Sequence, residues 1–230
     1  TATTTSDPGA TYFLFDNFSD SSLDTQIWSW RGNVVEVVNG ELHLKSTGSW
    51  TEVSTVNLTP LSNITIEMRW RVKANANEGN GITLVNSVSD QNCWYAFRSS
   101  STGRLTLYTR SGGTWAKRWE SPSSVTLNTN YRIKIIDTGS TVTLYLMTDA
   151  GAAIANSGSK SYDSLTTGYL GLSEYRSGDE GYFDDVIIRA YSATPPAATD
   201  FSGEQETQGP PIVGFTATPT VGLAPLTVQF

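Results

Sequence analysis

The chain has 230 residues and a net charge of −7; 38% of its residues are hydrophobic and only 16% are charged. An acidic chain lacks the basic surface that attracts nucleic acid or anionic lipid, so the composition argues against both partners. The length suffices for one large domain or two small ones, and no apolar run approaches the ~18 residues that cross a membrane.

Residues 1–11, TATTTSDPGAT, have the composition of a linker. From Tyr12 to Tyr191 the chain alternates between strand-like runs, such as NVVEVV, ITIEMRWRV and TVTLYLM, and turn-forming clusters. The pair Asn39-Gly40, inside VVNGELHL, suits a two-residue hairpin turn with positive φ. No stretch keeps a helical period over three turns. Many short strands without crossover helices predict an all-β antiparallel sandwich or barrel.

The chain has one histidine and one cysteine. In ELHLKS, His43 alternates with Leu42 and Leu44, so we expect it on the opposite, surface side of that strand. Cys93 has no partner for an intramolecular disulfide, and no cysteine cluster is present for zinc. We expect Cys93 to be a small buried core residue.

The composition changes after Tyr191. Residues 192–211 are rich in Pro, Ala, Thr and Glu without periodicity, which predicts a linker. The following segment, residues 212–230, contains FTATPTVGLAPLTVQF and resembles the opening of a polycystic-kidney-disease (PKD) type domain. That family is an immunoglobulin-like sandwich of extracellular proteins, so the resemblance implies the truncated start of such a domain.

Residues 12–191 resemble a concanavalin A-like jelly roll of the laminin-G and bacterial glucanase superfamily. FDNFSDSSLDTQIWSW is similar to the opening of that superfamily, VVNGELHLKS to its Gly-x-Leu strand, and GYLGLSEY with YFDDVIIRAY to its closing pair. The resemblance implies an antiparallel jelly-roll sandwich whose opening and closing strands are neighbours. It implies no single function, because this fold hosts lectins, adhesion modules and glycosidases.

The catalytic signature of the glucanases is absent. Those enzymes carry Glu-x-Asp-x-x-Glu or Glu-x-Asp-x-Glu on one strand, and no Glu of this chain has an Asp two residues later. The adjacent Asp184 and Asp185 would point to opposite faces of a strand unless a bulge intervened. Retaining hydrolysis needs two carboxylates ~5 Å apart, so we predict no catalytic residue.

The resemblance implies a structural calcium ion instead. In the glucanases calcium joins the closing strand to the opening one, and the matching positions here are Asp184, the carbonyl of Gly40, and Asn17. Hard oxygen donors suit calcium; the alternative is that Asp184 is a solvated charge at a strand end. Asn17 also begins an N-x-S/T sequon, as do Asn57 and Asn63, and these are the candidate glycosylation sites of an exported protein. A glycosylated Asn17 would not bind the ion.

Alternation in three strands suggests a binding surface. ITIEMRWRV turns its apolar residues to one side and its charged residues to the other. In CWYAFRS we expect Tyr95 and Phe97, with Cys93, to face inward. In RLTLYTR we expect the two leucines to face inward. If these strands share a sheet, the outward side chains form one surface that stacks on sugars and hydrogen-bonds their hydroxyl groups: Glu67, Arg69, Arg71, Trp94, Arg98, Tyr108 and Arg110.

These features predict a noncatalytic carbohydrate-binding or adhesion module of a modular secreted or cell-surface protein, with a glycan as its partner. The alternative is a structural repeat or subunit of a surface layer or filament, in which the partners are neighbouring copies of the same protein. A weaker alternative is a glycosidase with unrecognised catalytic carboxylates.

Overall fold

The computed structural model describes residues 12–48, 50–56, 63–75, 81–85, 92–163 and 169–191. The chain divides into two units, Thr1–Ala193 and Thr194–Phe230, and the second lies wholly outside the described residues. The predicted linkers at 1–11 and 192–211 and the PKD-like segment 212–230 lie entirely outside the described residues. Over the described ranges no helix is long and apolar enough to cross a membrane.

The described part of the chain contains sixteen β-strands and no α-helix, as the turn-separated runs predicted. The first eight are β1 (Tyr12–Asp16), β2 (Trp28–Arg31), β3 (Val34–Val38), β4 (Glu41–Lys45), β5 (Thr51–Thr55), β6 (Ile64–Ala74), β7 (Gly81–Val85) and β8 (Cys93–Arg98). The other eight are β9 (Arg104–Ser111), β10 (Thr114–Ser124), β11 (Tyr131–Asp137), β12 (Thr141–Thr148), β13 (Ala153–Asn156), β14 (Lys160–Ser161), β15 (Tyr169–Glu174) and β16 (Glu180–Ala190).

Within these ranges the strands form two antiparallel sheets. The seven-stranded sheet has the order β10-β9-β8-β7-β15-β5-β2. The nine-stranded sheet has the order β13-β12-β11-β6-β16-β4-β3, with β1 on β16 and β14 on β12. Most neighbours are distant in sequence, which is typical of a jelly-roll sandwich. The opening strand pairs with the closing one, from Tyr12 opposite Arg189 to Asp16 opposite Val186, and this prediction is confirmed.

The core lies between the sheets and follows the alternation of the strands. Strand β6 buries its apolar side completely, with exposures of 0–1% for Ile64, Ile66, Met68, Trp70 and Val72. Strands β11 and β12 alternate between buried and half-buried residues in the same way. A strict period of two fixes the buried face of these strands whatever lies opposite.

The hairpin turn between β3 and β4 forms where the sequence predicts it. Asn39 and Gly40 have φ values of 54° and 78°, as a two-residue turn of this type requires. The turn pairs Val38 with Glu41 and places Leu42 and Leu44 in the core.

Candidate functional site

The predicted orientation of β8 is wrong. Trp94 is 0% exposed and belongs to the core, whereas Tyr95, Phe97 and Cys93 lie on the outer face of the seven-stranded sheet. The indole Nε1 of Trp94 donates to Asp137 Oδ2 at 2.7 Å, and Asp137 lies on β11 in the opposite sheet. The Trp94 indole therefore faces the core, and Tyr95 and Phe97 occupy the outward positions of β8.

The predicted binding surface is also divided between two sheets. Glu67, Arg69 and Arg71 do face away from the core, but β6 belongs to the nine-stranded sheet. Strands β8 and β9 belong to the seven-stranded sheet, so their outward-facing side chains lie on the opposite side of the sandwich from those of β6. The outward face of β9 was predicted correctly: Leu105 and Leu107 are buried, and Tyr108 is half-buried on the outer side.

The charged residues of β6 are used in ion pairs. Arg69 bonds both oxygens of Asp149 at 2.9 and 3.1 Å, and this hydrogen bonding raises the pKa of the guanidinium. Arg71 pairs with Glu41 and lies 3.9 Å from the ring centroid of Tyr182. The Glu67 carboxylate accepts from Arg189 at 2.9 Å and lies 3.6 Å from Lys134. The charged groups of β6 are therefore engaged with one another and with neighbouring strands, and few of them are free to bind a ligand.

Arg98 sits at the end of β8 on the core side. Its Nε donates to the carbonyl of Val125 and its Nη1 to Oδ1 of Asn75, each at 2.8 Å. Burial lowers the pKa of its guanidinium. These bonds tie the strand end to Val125 and Asn75, and Arg98 does not share the outer face of β8 with Tyr95 and Phe97.

The two adjacent carboxylates of β16 lie at a β-bulge. The register shifts between Asp184 and Ile187, and Asp185 has a φ of 49°. The extra residue brings both carboxylates to the outer face, since Phe183 and Val186 on either side are buried. Asp184 accepts from Arg69 at 3.2 Å, and Asp185 lies 3.6 Å from Arg132. The pair therefore closes an ion-pair network on the nine-stranded sheet.

The side chains at the predicted calcium site do not fit a calcium ion as they stand. Asp184 uses Oδ1 to accept the Asp185 amide at 2.7 Å and Oδ2 to accept from Arg69. Asn17 is exposed, and its Oδ1 accepts the Ser19 amide at 3.3 Å. Gly40 lies close to the segment that carries Asn17, because a Cβ built on it would be 4.0 Å from the carbonyl oxygen of the next residue, Phe18. Calcium takes about 6–8 oxygen ligands, and a guanidinium on Asp184 competes with it.

His43 lies on the outer face, opposite Leu42 and Leu44 as predicted, but it is only 7% exposed. Its ring stacks on Tyr182 with centroids 4.6 Å apart. Its Nδ1 is 2.8 Å from Glu36 Oε1, and its Nε2 is 2.8 Å from Glu180 Oε1. The predicted orientation of His43 is therefore confirmed, but aromatic and carboxylate neighbours cover its ring and bury it.

A cleft of about 600 Å³ opens on the outer face of the seven-stranded sheet. Each of the seven strands contributes at least one side chain to its lining, and loops next to the strands contribute others. Its lining within the described ranges includes seven aromatic residues: Trp50, Tyr95, Phe97, Tyr108, Trp115, Tyr169 and Tyr175. The ring of Phe97 stacks against Tyr95 and Tyr108 with centroids 4.9 and 5.5 Å away. Continuous aromatic surface of this kind is rare on a protein exterior without a ligand.

The walls of the cleft come from segments that are distant in sequence. Trp50 meets Tyr175 edge-on with centroids 5.0 Å apart, and it lies 6.2 Å from Tyr95. Trp115, on the far side, is 47% exposed and lies 6.5 Å from Tyr95. The rings surround the β8 floor, so a ligand in the cleft would contact flat apolar faces on several sides.

Glu52 is the acidic residue among the lining side chains that the structure describes. It is 4% exposed; its Oε2 accepts the Trp50 indole at 2.8 Å, and its Oε1 lies 3.5 Å from Arg31. These contacts hold Trp50 against the cleft and leave Arg31 at the rim.

The floor depends on a close approach of Tyr95 to Gly81. A Cβ on Gly81 would lie 2.4–2.5 Å from the Tyr95 ring and hydroxyl. Burial raises the pKa of Tyr95 above its usual range, with a hydrogen bond from Ser173 acting in the opposite direction. Cys93 is 2% exposed and lines the cleft, so it is buried as expected but on the outer side of the sheet.

Behind this floor lies a buried acidic group. Glu174, at the end of β15, is 0% exposed, and neither carboxylate oxygen has a hydrogen-bond partner in the described part of the structure. Burial raises the pKa of Glu174 well above the ordinary range of a glutamate, and the negative charges of Asp179 and Glu180 nearby raise it further. Glu174 does not line the cleft.

Two of the three sequon asparagines can be placed. Asn17 and Asn63 are exposed, and Asn63 has a φ of 57° at the start of β6. Asn57 lies outside the described residues. Glycosylation at all three stays a prediction.

Of the predicted surface, only Tyr108 lines the cleft, and Arg110 lies beside it with its guanidinium 5.5 Å from the Trp115 ring centroid. The residues that the sequence reasoning missed include Trp50, Tyr175 and the rings of β8. The high content of aromatic residues was a signal of such a site, but their spacing along the chain gives no sign that they converge.

No protein-family model and no curated protein matches the chain. Solved structures do share its fold. The GH43 protein BlXynB of Bacillus licheniformis matches with a TM-score of 0.62 and 14% identity, over 77% of this chain and 39% of that one. The laminarinase catalytic domain of Thermotoga maritima matches with a TM-score of 0.60 and 12% identity, over 80% of this chain and 99% of that one.

The CBM2 module of the evolved Dit protein of Lactobacillus casei BL23 phage J-1 matches with a TM-score of 0.57 and 12% identity. That match covers 79% of this chain and 96% of the module. At identities this low the likenesses show the fold alone. Residues 12–191 thus contain an antiparallel jelly-roll sandwich of the kind found in carbohydrate-binding modules and glycosidases.

Proposed function

We propose that the chain is a noncatalytic glycan-binding module of a secreted or cell-surface protein. The observation that carries this proposal is the aromatic cleft of about 600 Å³ on the outer face of the seven-stranded sheet. Aromatic rings stack on the apolar faces of sugars, and the arginines and hydroxyl groups around them can bond sugar hydroxyls. Structures of the same fold include a carbohydrate-binding module and two carbohydrate-active enzymes, which is consistent with a carbohydrate ligand.

The lack of catalysis is part of the proposal. Glycosidases of the usual kinds place two carboxyl groups at ~5 Å or ~6.5–9.5 Å across the substrate. In the described lining, Glu52 already binds Trp50 and faces Arg31. Glu174 has a raised pKa, as a general acid would, but it is fully buried behind the floor. Hydrolysis of a polysaccharide by the purified protein, abolished in Glu52→Gln, would establish the glycosidase alternative.

Trp115→Ala tests the binding proposal. Trp115 is 47% exposed, so its removal should leave the fold intact. Loss of one stacking ring should weaken glycan binding by about 1–3 kcal/mol, a factor of about 5 to 150 in Kd. Trp30→Ala is the matched control, because Trp30 is 52% exposed on β2 but does not line the cleft.

The measurement is a glycan array followed by titration of the best ligand. Equal losses in both variants, or no binding to any glycan, would contradict the proposal. Self-association of the protein together with no glycan binding would support the alternative of a structural subunit.

A further inference from the structure

Three arginines surround the cleft, and each lies over one of its aromatic rings. The guanidinium carbon of Arg176 is 5.0 Å from the Tyr175 ring centroid, that of Arg110 is 5.5 Å from Trp115, and that of Arg31 is 5.9 Å from Trp50. Stacking on a ring fixes the plane of a guanidinium while its N–H edge stays available to another partner.

The cleft arginines differ from those of the nine-stranded sheet in their partners. On that sheet Arg69, Arg71, Arg132 and Arg189 each lie within 4.0 Å of a carboxylate oxygen. In the described part of the chain Arg110 and Arg176 form no such ion pair. Arg110 donates Nε to the Gly113 carbonyl at 3.1 Å, and Arg176 is exposed. Arg31 lies 3.5 Å from Glu52, but its side chain is 63% exposed.

The rim of the cleft is therefore cationic in an acidic protein. It carries three guanidinium groups, against the Glu52 carboxylate in the lining and the carboxyl groups of Glu174 and Asp179 near Tyr95 beneath the floor. The whole chain has a net charge of −7. A net negative protein repels polyanions in general, so attraction to an anion has to come from this local arrangement. Unpaired guanidinium groups at a ligand site bind carboxylate or sulfate oxygens in a bidentate manner.

The arginines lie on two sides of the cleft: Arg110 is beside Trp115, and the other two are beside Trp50 and Tyr175, which contact each other. Arg110 is on β9, Arg31 is on β2, and Arg176 follows β15. In the sheet order β9 and β2 are five strand spacings apart, which amounts to about 24 Å at ~4.8 Å per spacing. The side chains lean across this backbone distance, since Trp50 and Trp115 lie 6.2 and 6.5 Å from Tyr95. One anionic group cannot contact arginines on both sides of the floor, whereas a polymer with charged groups along it can.

Building on the proposed glycan-binding function, we propose that the ligand of the cleft is an anionic polysaccharide, held by ring stacking along the floor and by Arg176, Arg31 and Arg110 on its two sides. The anionic groups are sugar carboxylates or sulfates, which share the same guanidinium chemistry.

The test compares three polymers in titrations with the whole chain in about 150 mM NaCl, an ionic strength that screens distant charges beyond ~8 Å: polygalacturonate, dextran sulfate and the neutral glucan laminarin. We expect an anionic polymer to bind at least about tenfold more tightly than laminarin. Polygalacturonate binding identifies carboxylates as the recognised group, and binding of dextran sulfate alone identifies sulfates.

Arg176→Gln and Arg110→Gln should each weaken that binding about five- to twentyfold, as expected for the loss of one charge-assisted contact. Arg132→Gln, with the same charge change on the nine-stranded sheet, should change it less than about twofold. Laminarin binding as tight as anionic-polymer binding, or equal losses in all three variants, would overturn this inference and leave the glycan-binding function standing. Failure of all three polymers to bind, with no binding on a glycan array, would overturn both.

Discussion

The indole of Trp94 spans the gap between the two sheets. It fills the core from β8, and its N–H reaches Asp137, whose carboxylate also accepts the Tyr162 hydroxyl at 2.6 and 2.7 Å and the Gly139 amide at 2.7 Å. Burial raises the pKa of Asp137, while these hydrogen bonds act in the opposite direction. A buried acceptor with these donors fixes one rotamer of Trp94 and one face of the strand.

We expect Trp94→Ala to lower the free energy of unfolding by about 3–5 kcal/mol, because it empties a large core site and leaves Asp137 without one donor. Urea denaturation followed by circular dichroism measures this change. Trp30→Ala, at a side chain that is 52% exposed, should change it by less than about 0.5 kcal/mol. A small effect of Trp94→Ala with a large loss of glycan binding would contradict the buried position of Trp94.

At the scale of elements, the Tyr95 ring of β8 lies across the backbone of β7, so that a Cβ at position 81 would collide with it. Gly81 lies under the Tyr95 ring, which lines the cleft. The seven-stranded sheet therefore shapes the floor of the cleft through the missing side chain of Gly81 as well as through its aromatic rings.

Gly81→Ala should displace the Tyr95 ring, destabilise the fold by about 1–3 kcal/mol, and weaken glycan binding. Thermal denaturation and a binding titration measure the two effects. Gly48→Ala is the control, since no atom of the described residues, apart from its chain neighbours, lies within 4 Å of a Cβ built at that position. Unchanged binding in Gly81→Ala would show that Tyr95 does not contact the ligand.

The closing strand is held at its bulge by ion pairs of β6 and β11. Because Arg69 occupies Asp184 Oδ2, we expect EDTA to leave the melting temperature unchanged. We expect Asp184→Asn to lower the free energy of unfolding by about 1–3 kcal/mol through loss of that charge-assisted bond. A melting temperature that falls with EDTA in the native protein but not in Asp184→Asn would instead establish the calcium site.

At the scale of the whole molecule, the sandwich encloses an acidic group at neutral pH. Glu174 is fully buried, and burial raises its folded-state pKa above the unfolded value. The folded state then binds more protons than the unfolded state between the two pKa values. The contribution of Glu174 to stability is therefore present below the unfolded pKa and is lost as pH rises through the folded pKa.

We expect the free energy of unfolding to decline by up to about 1.4 kcal/mol per pH unit on account of Glu174, starting near the ordinary pKa of a glutamate. Glu174→Gln should remove that part of the decline and be more stable than the native protein at pH 8. Asp163→Asn, at an exposed carboxylate, serves as the control. Denaturant titrations between pH 4 and pH 8 measure the difference, and parallel curves for the native protein and Glu174→Gln would contradict the prediction.

The sequence by itself determined the antiparallel sandwich, the hairpin at Asn39-Gly40, and the buried side of β6 and β9, while the pairing of the first and last strands was implied by the resemblance to the concanavalin A-like fold. In those strands apolar and polar residues alternate, so one face is buried whatever lies opposite. Only the tertiary structure decided the cleft. Both faces of β8 are apolar and its first five residues are buried, so alternation carries no information there. The choice of face depended on Asp137 from the opposite sheet. The cleft depended on rings such as Trp50, Trp115 and Tyr175, which meet only when the seven-stranded sheet has formed.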